Sequence, residues 1–212
     1  MRPWHRALGA CARLAWIGGC SMAVAVGARA GVADGAAAGT RRALDAGDHA
    51  LAFTRLRPLA QQGDAQAQFE LAGLYEEGEG VAEDLGAAVS WYLKAASLGH
   101  AGAQTALGEM YAAGQGVTQD YGEAARWDRL AAAQGSARAQ FNLAWLYKSG
   151  DGVPPDPVRA YVWFAVAATS PNDPRHAQQA AARDQMAERL SAAQLAQAQR
   201  LLTECAAQPQ RC

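Results

Sequence analysis

The 212-residue sequence lacks the motifs by which most enzymes are recognised. It has no Gly-x-x-x-x-Gly-Lys phosphate loop, no Gly-x-Ser-x-Gly nucleophile turn, no His-Glu-x-x-His zinc motif and no Cys-x-x-Cys pair. The three histidines after residue 30, His49, His100 and His176, lie far apart in the sequence. We therefore expect no catalytic residues, no cofactor and no metal site.

Runs of basic residues are also missing. The formal net charge is −1, and the four charged residues before position 31 are all arginines, so the rest of the chain has 15 basic and 20 acidic residues and a net charge of −5. A mildly acidic chain without a basic patch has no electrostatic footprint for nucleic acid. The composition therefore argues against DNA or RNA as a partner.

Residues 1–30 have the layout of a secretory signal peptide that is removed. Three arginines and a histidine precede an apolar stretch at 14–26, and Ala28 and Ala30 are the small residues that signal peptidase needs. We expect cleavage after Ala30 and a periplasmic or secreted protein. The apolar stretch is shorter than the ~18 residues of a spanning helix, so no transmembrane span is predicted. In the alternative, the four residues ending at Cys20 act as a lipobox and Cys20 is lipidated.

Only two of the four cysteines, Cys205 and Cys212, lie outside the signal region. In an oxidising compartment, two thiols seven residues apart can close a small loop, which predicts a structural disulfide that keeps the last helix from fraying. The alternative is two free thiols on a disordered tail, since the sequence after residue 207 is polar and contains a proline.

The middle of the chain is three tandem copies of one 36-residue unit, at residues 64–99, 100–135 and 136–171. The residues of the first copy that recur in both of the others are Ala67, Gln68, Leu71, Tyr75, Gly78, Gly80, Val81, Asp84, Trp91, Ala95 and Ala96. Such recurrence predicts that each copy has the same local structure.

Each unit is predicted to be two helices joined by a glycine turn. Gln68, Leu71 and Tyr75 share one face of a helix. Two glycines then end that helix because they accept positive φ, and Asp84 or its copy caps the next helix by accepting from free backbone N–H groups. Stacked helix pairs of this kind form an all-α fold, an α-solenoid of antiparallel helix pairs.

The flanking segments look like end caps of the repeat array. Residues 40–63 are predicted to be a degenerate N-terminal helix pair, and residues 172–206 a C-terminal helix pair whose second helix starts with the capping box Ser191–Gln194. Residues 31–39 are small and featureless, which indicates a flexible tether, and residues 207–212 form a tail. Terminal units are expected to be atypical because their outer faces meet water.

The pattern Ala-x-x-x-Leu-x-x-x-Tyr, Gly-x-Gly-Val-x-x-Asp and Trp-x-x-x-Ala-Ala resembles the Sel1-like repeat, a relative of the tetratricopeptide repeat. The third copy departs at its end, where Pro171 replaces a glycine. The resemblance implies a right-handed superhelix and a non-catalytic adaptor. It offers two alternatives: a hydrolase of β-lactams or peptidoglycan fragments, as in a cysteine-rich branch whose repeat cysteines this chain lacks, or a constitutive part of a secretion assembly.

Residues that fail to recur are the candidates for function. Trp91, Trp127 and Trp163 recur among small alanines, which predicts a core role. Trp145 does not, because its counterparts are Gly73 and Glu109. First helices line the concave side of stacked helix pairs, so variable residues there select the partner. The predicted partner-binding groove consists of Glu70, Glu109, Arg138, Asn142 and Trp145. Alternatively, Trp145 packs on the C-terminal cap.

The sequence thus predicts a monomeric interaction scaffold of the bacterial cell envelope. Its partner is expected to be an envelope protein or peptide held in the concave groove.

Overall fold

The structure is a computed structural model that describes residues 38–170 and 173–207, which form ten helices and no strand. The helices are α1 (residues 38–45), α2 (His49–Gln61), α3 (Ala65–Glu77), α4 (Leu85–Ser97), α5 (Ala101–Ala113), α6 (Tyr121–Ala133), α7 (Ala137–Ser149), α8 (Pro157–Ala167), α9 (His176–Ala187) and α10 (Ala192–Ala207). None of these described helices is both long and apolar enough to cross a membrane.

Several predicted features lie outside the described residues. They are the signal peptide with its cleavage after Ala30, the lipobox at Cys20, Pro171 and Cys212. Residues 38 and 39 belong to α1 rather than to the predicted tether. Ala38 has the highest helix propensity of all residue types, which is consistent with a helix that already includes residues before the expected residue 40.

The helices pack in sequential pairs, which confirms the predicted solenoid. The pairs α3–α4, α5–α6 and α7–α8 are the three repeats, and each second helix also packs against the first helix of the next repeat. At the ends, α2 covers α3, while α9 and α10 both pack on α8. The arrangement gives every repeat a neighbour on both sides, so its two apolar faces are covered.

Side-chain caps begin the second helix of each repeat and the last helix, as the sequence predicts. Asp84 Oδ1 accepts from the backbone N–H of Ala87 at 2.9 Å, and the copies Asp120 and Asp156 do the same in later repeats. At the capping box, the Ser191 N–H donates to Gln194 Oε1 at 2.9 Å, and Ser191 Oγ accepts from the Gln194 N–H at 3.3 Å. These bonds satisfy donors that the helix itself leaves free.

A buried glutamine links each repeat to the one before it. The side-chain amides of Gln68, Gln104 and Gln140 donate to the backbone oxygens of Ala60, Ala96 and Ala132, near the end of the preceding helix, at 3.0, 3.2 and 3.2 Å. Each of these oxygens also accepts from the backbone N–H of the glycine that follows the helix, so the recurring glutamine adds a second hydrogen bond to a helix-end carbonyl inside the core.

The second glycine of each turn lies close to the backbone of the preceding helix pair. Gly116 has φ +68°, and a Cβ there would lie 2.5 Å from the backbone oxygen of Leu85, the first residue of α4. Gly80 and Gly152 make the same close approach, to His49 and Tyr121. Glycine is therefore required by both conformation and space.

Gly116→Ala is expected to lower the free energy of unfolding by at least about 2 kcal/mol, because alanine is strained at this φ and its Cβ meets backbone that cannot move aside. Gly135→Ala is the matched control: φ is +90°, but nothing lies within 4 Å of the added Cβ. Chemical denaturation of the two variants measures the difference. Equal losses would show that repeat stacking does not depend on this approach.

The recurring apolar residues form the core, with one partial exception. Leu71, Leu107 and Leu143 are buried, as are Trp127 and Trp163. Trp91, the tryptophan of the first repeat, is only half-buried and carries the Lys94 ammonium 3.7 Å from its ring centroid. The prediction of a core role therefore holds fully for the second and third repeats and partly for the first.

Candidate functional site

The inner groove is the surface formed by the exposed sides of α3, α5 and α7, the first helices of the three repeats. Contacts between neighbouring repeats fix its width: Phe69 of α3 stacks on His100 with ring centroids 4.5 Å apart, and Thr105 Oγ1 lies 2.9 Å from Ser136 Oγ. In addition, α5 contacts α7 directly. First helices of successive repeats therefore form one continuous surface.

Three of the five predicted groove residues meet at one point. Arg138 of α7 donates two hydrogen bonds, from Nε and Nη2, to the two carboxylate oxygens of Glu109 on α5. Asn142 Nδ2 donates to the same Glu109 at 3.2 Å. The Arg138 side chain is 57% exposed, so the pair contributes about 1 kcal/mol or less to stability. Its polar groups are available to a partner.

Trp145 lies beside this cluster and is 42% exposed. It makes edge contacts with Phe141 and Phe164, at centroid distances of 6.2 and 5.7 Å. The ammonium of Lys148 lies 3.9 Å from the centroid of the ring. The indole therefore has a fixed orientation and still presents area to the groove, which is how aromatic residues act as binding anchors.

Glu70, the fifth predicted residue, lies elsewhere along the stack. It accepts from Gln66 Nε2 at 2.7 Å and lines a different cavity, beside Thr40 and Arg41 near α1. The structure thus brings Glu109, Arg138, Asn142 and Trp145 together and leaves Glu70 apart. Whether the five act as one binding site stays a prediction.

A cavity of about 440 Å³ opens between α5, α6 and α7, and we call it the Asp128 cavity. Its lining residues include Gly108, Glu109, Asp128, Asn142, Trp145 and Leu146. Its size falls in the range of about 300–1,000 Å³ typical of ligand sites. Asp128 is 1% exposed, and its Oδ1 atom has no hydrogen-bond partner within the described residues.

Sequence analysis missed Asp128, although the same pattern could have found it. The residues at its position in the first and third repeats are Tyr92 and Phe164, so an aromatic is replaced by a carboxyl in the middle repeat only. Asp128 lies on α6, a second helix, and the inward faces of second helices are predicted to be core rather than functional surface.

Burial raises the pKa of Asp128 to about 8, and the negative charge of Glu109 acts in the same direction. A hydrogen bond from Asn142 and the positive charge of Arg138 lower the pKa but do not offset the burial. Asp128 is therefore mostly protonated at neutral pH, and a cation entering the cavity would favour its ionised form.

A second cavity of about 440 Å³, the Tyr92 cavity, adjoins the first and shares Glu109 with it. Glu76, Glu77, Tyr92, Glu109 and Arg138 are among its lining residues. The Tyr92 hydroxyl donates to Glu76 Oε2 at 2.6 Å. Burial and this bond raise the pKa of Tyr92. The two cavities together carry four carboxyl groups and one guanidinium, so the inner groove is acidic.

These groups can accept hydrogen bonds, hold a positive charge and offer aromatic surface, which is the chemistry of recognition. No group of three or more His, Cys, Asp and Glu side chains in residues 38–170 and 173–207 is placed to hold a metal ion. Cys205 is buried in α10. Because Cys212 lies outside the described residues, the disulfide between them stays a prediction.

Comparison with known proteins identifies the repeat. The family model of the Sel1 repeat matches three consecutive segments, residues 65–100, 101–136 and 137–172, about half of the chain. The chain is similar to the crystal structure of a Sel1 repeat protein from Oxalobacter formigenes, with 34% identity and a TM-score of 0.60 over 63% of this chain and 53% of that one.

It is also similar to c5321, a protein described as a protective antigen present in uropathogenic Escherichia coli strains displaying an SLR fold. Here the identity is 32% and the TM-score 0.54, over 72% of this chain and 40% of that one. The chain thus spans about half or less of the length of these two proteins. No curated protein matches it. The repeat pattern, the helix stack and the family model agree, and the chain belongs to the Sel1 repeat family.

Proposed function

We propose that this protein is a non-catalytic scaffold of the bacterial cell envelope, which binds a protein or peptide segment in the inner groove as a monomer. One observation carries the proposal. The residues that recur in every repeat are committed to packing and capping, whereas the non-recurring Glu109, Arg138, Asn142 and Trp145 converge on the inner groove. Sel1 repeat proteins are generally scaffolds for protein–protein interaction.

The envelope location is supported by two independent observations. Residues 1–30 have the composition of an export signal. The similar protein c5321 is described as a protective antigen, a description that fits a protein accessible outside the cytoplasm. Export of the full-length chain with loss of residues 1–30 can be checked by cell fractionation and N-terminal sequencing; retention of the intact chain in the cytoplasm would contradict the location.

Trp145→Ala is expected to weaken capture of the partner from an envelope extract at least tenfold, about 1.4 kcal/mol, because the exposed indole is the largest rigid contact in the groove. The melting temperature should change by only a few degrees. Quantitative co-precipitation with immobilised protein measures the capture.

Leu130→Ala is the matched control for this experiment. Leu130 is 44% exposed, close to Trp145, but it lies on α6 and lines neither groove cavity. Its replacement should leave capture unchanged. If Leu130→Ala weakens capture and Trp145→Ala does not, the partner uses a different face and the assignment of the groove is wrong.

A further inference from the structure

The middle repeat differs from its neighbours by losing a pair of aromatic rings. In the first repeat Phe69 packs on Tyr92, with centroids 5.7 Å apart, and in the third Phe141 packs on Phe164 at 5.5 Å. The equivalent residues of the second repeat are Thr105 and Asp128. Asp128, which stands at the position of the second of these rings, lines the Asp128 cavity.

The surroundings are adapted to the carboxyl group. A Cβ at Gly108 would lie 2.6 Å from Asp128 Oδ1, so the glycine lets the carboxyl approach the backbone of α5. The equivalent residues in the other repeats are Ala72 and Ala144, which lie in core clusters that contain Tyr92 and Phe164. Gly108 and Asp128 thus form a matched pair that is specific to the middle repeat.

Asp128 Oδ1 is buried and has no hydrogen-bond partner within the described residues. Leaving such an acceptor unpaired costs free energy. Asp128 also lines the cavity, so a donor that enters the cavity and turns this carboxyl group towards itself would recover that free energy. Glu109 adds a second carboxylate at the wall. Both carboxylate oxygens of Glu109 already accept from Arg138, so the acceptor left to fill is that of Asp128, and a hydrogen-bond donor that also carries positive charge suits it.

The remaining walls suit the stem of a long side chain. Trp145 and Leu146 are apolar, and the Lys148 ammonium, 3.9 Å from the Trp145 ring centroid, holds the ring in place beside the cavity. Lysine and arginine bury an aliphatic stem while their charged heads seek acceptors. The neighbouring Tyr92 cavity continues the acidic surface with Glu76 and Glu77.

We propose that the Asp128 cavity receives a lysine or arginine side chain of an extended partner segment that lies along the inner groove. The inference rests on the proposed function, because it names the chemistry of the segment that the groove binds. The charged head pairs with Asp128, the stem packs beside Trp145, and Glu109, held by Arg138, completes the acidic wall.

Binding is coupled to loss of a proton. The charged or titratable groups around Asp128 are Glu109 on α5, Arg138 on α7 and Tyr121 on α6, with Asn142 as a neutral donor. Because burial keeps Asp128 protonated at neutral pH, the incoming cation displaces its proton to solvent. Affinity should therefore rise as the pH increases towards 8 and level off above it.

The test titrates the full mature protein with acetylated, amidated pentapeptides whose central residue is lysine, arginine or norleucine between alanines. The indole N–H resonance of Trp145 reports binding. Lysine or arginine peptides should bind at least tenfold more tightly than the norleucine peptide, and Asp128→Asn should abolish that preference. Calorimetry in two buffers of different ionisation enthalpy should detect release of up to one proton for the original protein and none for the variant.

Glu123→Gln is the matched control, because it removes a carboxyl from the same helix that is paired with Arg126 outside the cavity. It should keep the preference for the basic peptides. Equal binding of the norleucine peptide, no binding of either basic peptide at millimolar concentration, or an unaffected Asp128→Asn variant would each overturn the proposal. Tighter binding of n-butylamine than of the lysine peptide would also overturn it, since the cavity would then be a free-amine site.

Failure here can be separated from failure of the proposed function. If capture of an envelope protein depends on Trp145 but basic peptides are not preferred, the scaffold function is supported and the proposed basic side chain is wrong.

Discussion

Asp128→Asn is expected to raise the free energy of unfolding at pH 8 by an amount on the order of 5 kcal/mol, and to leave it nearly unchanged at pH 4. In the folded protein burial raises the pKa of Asp128 to about 8, whereas in the unfolded chain it ionises near 3.8. Between these values the folded state holds a proton that the unfolded state has lost. Stability therefore falls by up to about 1.4 kcal/mol for each pH unit from 4 to 8, then stops falling.

The Asp128→Asn variant removes this titration while keeping the shape of the side chain. The difference in free energy of unfolding between the two proteins should therefore grow from pH 4 to pH 8. Denaturant titrations at pH 4, 6, 8 and 9 measure it, with Glu123→Gln as the control for an exposed carboxyl of the same helix. A constant difference across the range would mean that Asp128 ionises normally in the folded protein. A buried carboxyl group that lowers stability would be lost if only packing were under selection. Its presence in one repeat therefore favours a functional role.

Trp127→Ala is expected to cost about 3–5 kcal/mol of stability. The Trp127 ring is 7% exposed and packs in the cluster formed by α4, α5 and α6, so its removal leaves a cavity between two repeats that neighbouring alanines cannot fill. Each repeat in a solenoid is stabilised by its neighbours, so a defect at the middle interface weakens both sides.

Trp145→Ala provides the comparison, because it removes the same ring from a site that is 42% exposed. A loss near 1 kcal/mol is expected there, since much of that ring already meets solvent. Thermal and chemical denaturation of both variants measures the two losses. Similar losses would contradict the division between core tryptophans and the groove tryptophan.

The fold could be predicted from the sequence because the same helix-start and turn signals occur in all three repeats. Asp84 and its copies mark helix starts, and the paired glycines mark turns, wherever they recur. Trp91 was harder to predict. Its burial depends on how much the atypical N-terminal cap covers it, and recurrence says nothing about the cap.

The candidate site could be predicted only in part, for reasons of geometry. Trp145 was found because it breaks the repeat. Glu70 is at the helix position of Asn142, but two repeats earlier in the stack, and its hydrogen-bond donor is Gln66 of its own helix. Glu109 and Arg138 are 29 residues apart, and not one repeat length of 36. They meet because α5 and α7 are shifted along their axes relative to each other, and the sequence does not reveal that shift.

The central claim is that the inner groove is where the partner binds, and site-specific photo-crosslinking tests it most directly. A benzophenone amino acid replaces Ala113, an exposed residue at the end of α5 that lines the Asp128 cavity, or Leu130 as the control outside the groove. Irradiation in envelope extract should produce a discrete crosslinked protein from position 113 and none from position 130. The same crosslinked protein from position 130 alone would contradict the account.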